Sequence, residues 1–68
     1  MSRAYETHMT GARMARKLAA DYRDEAAETT NNHRRDVCLW EAEQAEERAD
    51  WYEAHASLFA STPEREAA

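Results

Sequence analysis

The side chains of this sequence whose types and spacing could do chemistry are few: two distant histidines, a glutamate–arginine pair, a basic cluster and a single cysteine. If the chain folds back near residues 31–32, positions at one height sum to about 63, and His8 lies level with His55. Such a pair could bind a transition metal or act as a pH switch. It lacks a third ligand and the Glu-x-x-His pattern of di-metal bundles. The simpler reading is two half-exposed rings at the open end, partnered by Tyr5, Glu53 or water. Glu41 and Arg48 stand seven apart on one strip of a helix. They form either a charged network that sets the register between packed hairpins, or a solvated groove. If buried they must be paired, because an isolated buried charge costs several kcal/mol.

Arg13, Arg16, Lys17 and Arg23 make the basic cluster that a nucleic-acid binder would use. Such a binder wants its patch unopposed and interleaved with aromatics. Here Tyr22 is the only aromatic nearby, and a folded-back chain would set Glu46, Glu47 and Asp50 alongside, so partial neutralisation is the stronger reading. Cys38 falls on a core row and reads as a small buried hydrophobe rather than a nucleophile. No triad spacing and no glycine-rich loop occur. The sequence therefore assigns no catalytic residue, no metal ligand and no cofactor, and an enzyme is not expected.

These residues must be positioned by a chain of 68, which allows one small domain. Domains of this size are marginal alone and usually need a disulfide, a metal or a partner chain. One cysteine excludes an internal disulfide and points to a reducing compartment. There is no apolar run near eighteen residues and no cleavable signal pattern, so the expectation is a cytoplasmic protein without a membrane partner. The mean hydropathy of −1.01 and 34% charged residues would suit disorder, but a single glycine, a single proline and abundant Ala, Glu and Arg suit helix. The net charge of −5 divides into +3 over residues 1–23, −2 over 24–40 and −6 over 41–68. A hairpin would set the basic start beside the acidic end.

The one convincing break is Glu28-Thr-Thr-Asn-Asn-His33, whose Thr and Asn side chains compete for backbone hydrogen bonds and favour caps and turns. Before it, Tyr5, His8, Ala12, Ala15, Ala19, Tyr22 and Ala26 recur in steps of three and four, a heptad seam predicting a helix over about 2–29. Gly11 costs that helix about 1 kcal/mol relative to Ala. After a turn at about 30–33, a second helix is predicted over about 34–60, capped by Asn31 or Asn32 and stopped at Thr62-Pro63. Residues 61–68 read as a frayed tail. The expected fold class is all-α, an antiparallel two-helix hairpin.

On the second helix, Cys38, Ala45, Tyr52 and Phe59 form one row at seven-residue spacing, beside Ala42, Ala49 and Ala56. Val37, Gln44, Trp51 and Leu58 form another, and the polar row Arg34, Glu41, Arg48 and His55 separates the two strips. Alanines at such spacing let helices approach closely but bury little area at roughly 25 cal/mol per Å². A two-helix hairpin cannot cover both strips. The spacing therefore implies self-association, a homodimer of hairpins forming a four-helix bundle.

At this point the chain resembles the Rop (or Rom) family of plasmid copy-number regulators, helical hairpins that dimerise into four-helix bundles. Met14-Ala15-Arg16-Lys17-Leu18 is similar to part of that family's first helix, Asp36-Val37-Cys38 to the opening of its second, and Trp51-Tyr52 through Leu58-Phe59 to its end. The resemblance implies a bundle and, as the competing function, RNA binding through Arg13, Arg16, Lys17 and Arg23. The chain departs from the family at Lys17, where the family carries a key phenylalanine, and at Glu41 and Arg48, where such a bundle prefers aliphatic residues. In size and style it is similar also to small phage-encoded helical inhibitors of host proteins. The leading expectation is a non-enzymatic regulatory or inhibitory protein encoded by a phage or other mobile element. It would act through protein–protein contact as a homodimeric hairpin, with Trp40, Glu41, Arg48, Trp51, Tyr52, His55, Leu58 and Phe59 as its binding or dimer residues.

Overall fold

The computed structural model describes residues 3–60, which form two helices, α1 over Arg3–Glu28 and α2 over Asn32–Ala60. The helices pack against each other as an antiparallel hairpin joined by Thr29, Thr30 and Asn31. This is the all-α hairpin expected from the two heptad patterns and the Thr/Asn break. The expected first residue of α1, Ser2, and the expected tail 61–68 lie outside the described residues.

The turn is built from side chains rather than from a left-handed residue, since none of the described residues has a positive φ. The Asn31 side-chain oxygen accepts from the Arg34 backbone N–H at 2.9 Å, and the Asn31 carbonyl accepts the first helical bond from Arg35 at 2.9 Å. Asn31 is thus the N-cap, which starts α2 at Asn32, two residues ahead of the sequence expectation. The Thr29 hydroxyl accepts from the Asn31 N–H at 3.2 Å. Helix α1 ends without a glycine, and Arg35 does the corresponding work. Its guanidinium donates to the carbonyls of Thr29 at 3.0 Å and Ala26 at 3.4 Å, and to the Asn32 side chain at 3.0 Å. Those carbonyls are among the ones a helix C-terminus leaves without an intrahelical donor.

The seam between the helices consists of Ala12, Ala15, Ala19 and Ala26 from α1, and Cys38, Ala42, Ala45, Ala49 and Ala56 from α2. Among the described residues no larger apolar side chain is fully buried. Tyr22 and Tyr52 are half-buried along the edge of this seam. The α2 row of Cys38 and Ala45 and its neighbour Ala42, Ala49 and Ala56 face α1, while Val37, Trp51 and Leu58 stay exposed. One hairpin covers one strip as far as Tyr52, but leaves its last expected member, Phe59, exposed along with the other strip.

Candidate functional site

The hairpin has two unlike flanks, and helical rotation decides which residue falls on which. On one flank Arg16 meets three carboxylates of α2: Glu46 at 2.7 Å, Asp50 at 3.1 Å and Glu53 at 2.5 Å. Arg23 completes the lattice by binding the other oxygen of Glu46 at 2.7 Å. The Arg16 guanidinium, held first by Glu53 and then by Asp50, is pushed above its usual range. The Glu46 carboxyl, held chiefly by Arg23 and against the cost of its own desolvation, is pulled below the usual carboxylate range. The neutralising partners are Glu46, Asp50 and Glu53, on one side of α2 at steps of four and three. Glu47, expected among them, is exposed and turned away by one position. The steps of three and four were the signal in the sequence that favours Glu53 over Glu47.

Of the basic residues singled out from the sequence, Arg16 and Arg23 are therefore engaged by α2. Lys17 pairs with Asp21 at 3.2 Å along its own helix. Arg13 donates to the Thr10 hydroxyl at 3.1 Å and remains exposed.

Leu18 lies two positions beyond Arg16, and Arg48 two beyond Glu46, each turned by about 200° of helix rotation. They accordingly emerge on the opposite flank. There Gly11, Met14, Ala15 and Leu18 of α1 and Arg48 and Tyr52 of α2 line a shallow groove running between the helices. Met14 is 68% exposed and Leu18 39%. Beside the groove, the row Val37, Gln44 and Trp51 continues the same face, with Trp51 51% exposed. This flank carries few charges: Glu41, half-buried, and Arg48, exposed, occupy it along α2, and the Arg34–Glu25 ion pair closes it near the turn. Glu41 lies beside Tyr22, and its charge, with burial and a hydrogen bond adding to it, pushes the Tyr22 phenol up from its ordinary value.

Toward the open end the aromatic residues gather. The Trp51 indole stacks on His55 with ring centres 3.9 Å apart, lies 6.0 Å from His8 and meets Tyr52 edge-on at 5.4 Å. Phe59 completes the group, its ring 5.1 Å from His8. His8 and His55 both touch Trp51, and each donates its Nδ1–H to a carbonyl of its own helix, Ala4 at 2.8 Å and Trp51 at 2.9 Å. Among the described residues no group of three or more His, Cys, Asp or Glu could hold a metal ion.

Tyr52 is seated by Gly11. A methyl group at position 11 would stand 3.0 Å from two carbons of the tyrosine ring. The glycine that weakens α1 locally is what lets this ring approach the helix so closely. The remaining candidates, Trp40 at 56% and Leu58 at 61% exposure, point further outward on α2. Met14 and Leu18 belong to the face but were not among the candidates drawn from the sequence. They sit a step off the alanine seam of α1, and only its crossing with α2 shows that they flank the groove.

The fold and this surface define a small all-α helical hairpin with one apolar flank and one ion-paired flank. No described helix is long and apolar enough to cross a membrane. No protein-family model, curated protein or solved structure matches the chain. The likeness to Rop-type regulators thus rests on the hairpin architecture and on short fragments such as Met14–Leu18.

Proposed function

We propose that this chain is a non-enzymatic interaction protein that works as a homodimer. Two hairpins would join through the flank carrying Met14, Leu18, Val37, Gln44, Arg48 and Trp51 to form a four-helix bundle. A regulatory or inhibitory role would follow from protein contacts made by the aromatic end and the outer residues Trp40 and Leu58. The observation that carries this reading is the distribution of apolar mass. The seam inside the hairpin is alanine and one cysteine, while the large apolar side chains lie outside it, with Met14, Leu18, Val37 and Trp51 together on one flank. Hydrophobic burial is the main favourable term in folding and association, and an alanine seam supplies little of it.

The opposite flank supports the same assignment. There Arg16 and Arg23 are held by carboxylates of α2 and Lys17 by Asp21 of its own helix, so most of the positive patch that an RNA reader would want unopposed is opposed. Sedimentation equilibrium tests the proposal. The wild-type chain should sediment as a dimer at micromolar concentration, little affected by salt. A folded monomer at that concentration refutes it. Binding to structured RNA that falls steeply as salt rises would favour the competing reading instead.

A further inference from the structure

On the apolar flank, contacts fix how the two helices stand level with each other. Gly11 receives Tyr52 and Tyr22 lies beside Glu41, so a position on α1 is level with the α2 position that completes 63. The charges on this flank then have definite heights. Glu41 stands toward the turn, partly buried beside Tyr22. Arg48 stands two turns further along α2, lining the groove, and no carboxylate pairs with it among the described residues. A guanidinium covered by a second hairpin must find a partner, since an uncompensated buried charge costs several kcal/mol.

Two identical hairpins can meet face to face about a two-fold axis in only two ways. An axis running along the helices preserves height. Arg48 then faces the partner's Ala15, its only level neighbours on α1 and α2 being uncharged or cationic, and it stays unpaired. An axis running across the helices inverts height and lays α2 antiparallel on the partner's α2. Resting on the dimer reading, we infer that the second copy binds about such a transverse axis, placed between Gln44 and Ala45 and beside Leu18, so that Glu41 of each protomer meets the partner's Arg48. The midpoint of the two charges falls between Gln44 and Ala45, and the α1 positions at that height are Leu18 and Ala19. The pairing forms twice, once on each side of the axis.

The rest of the flank fits this register. Leu18 meets the partner's Leu18, and Gln44 meets the partner's Gln44, whose amide can both donate and accept. Trp51 comes within one residue of the level of the partner's Val37, an apolar contact for the most exposed aromatic of the flank. Met14 comes within one residue of the level of the partner's Tyr22.

Two experiments test the register. In a Cys38→Ala background, Leu18→Cys should form an intermolecular disulfide under mild oxidation. Val37→Cys, whose two copies would stand about 22 Å apart along the bundle, should not. Independently, Glu41→Arg and Arg48→Glu should each weaken the dimer roughly tenfold or more, and the double exchange should return it to within about threefold of wild type. The cysteine variant retains both charges, so it reads the register even where a single charge reversal prevents folding. A wild-type dimer with no Leu18→Cys bridge and no rescue by the double exchange overturns the register and leaves the dimer standing. A wild-type monomer overturns both.

Discussion

At Gly11 two opposing effects compete, and the contact distances decide between them. Alanine would favour α1 by about 1 kcal/mol, but its methyl would press on the Tyr52 ring at 3.0 Å. A rigid ring packed against a helix has little room to yield, so Gly11→Ala should lower the melting temperature. In a Tyr52→Ala background the same substitution should raise it, and equal effects in both backgrounds would exclude the seating role. Arg35→Met should cost about 1 kcal/mol in denaturant titration, because it leaves the Ala26 and Thr29 carbonyls without their donor. Neither role was legible in the sequence. Gly11 reads locally as a defect, and Arg35 as one more charge in a basic pair, because both act across the turn or the seam. The N-cap, by contrast, was legible, since Asn31 acts on the backbone only three residues away.

Between the two helices, the seam was the most legible feature. Ala12, Ala19 and Ala26, and Ala42, Ala49 and Ala56, recur every seven residues, and all are buried. The ion-paired flank was legible as charge segregation but not in its membership, since Glu53 rather than Glu47 joins Arg16. That flank gives the hairpin a pH dependence of known sign. The Glu46 carboxyl is held below its ordinary range in the fold. Its contribution is present above the ordinary carboxylate pKa of about 4.3 and is lost as pH falls through the lowered folded value. Arg23→Gln, which removes the principal partner of Glu46, should therefore flatten the decline of the denaturation midpoint between neutral and acidic pH. An unchanged slope would show that the pair contributes nothing. On the other flank the Tyr22 phenol is raised, so its contribution is present below pH about 10 and is lost as pH rises through the folded value. Spectrophotometric titration of the tyrosines should show Tyr22 ionising earlier in Glu41→Gln.

For the molecule as a whole, assembly and stability should be one measurement. If the apolar flank is covered by a second copy, thermal unfolding shifts upward with protein concentration. Trp51→Ala should abolish that dependence while lowering the midpoint, and high salt should not. The two-strip pattern of α2 announced this surplus in the sequence, because Trp51 and Leu58 could not share a seam with Tyr52 and Phe59. The groove itself was not legible, since Met14 and Leu18 acquire a neighbour only when α1 crosses α2. The alanine seam has one more consequence, which concerns inheritance. A single nucleotide change in an alanine codon yields Val, Thr, Ser, Asp, Glu, Pro or Gly. Most of these wedge the helices apart, bury a charge or break the helix, and glycine costs about 1 kcal/mol in helix propensity. Leucine-rich cores offer neighbouring codons for Ile, Val, Met and Phe, many of them tolerable by repacking. An alanine seam offers almost no such neighbours. In a lineage drifting at random, the seam of this hairpin should be the slowest part of the gene to change, although it holds the smallest side chains in the protein.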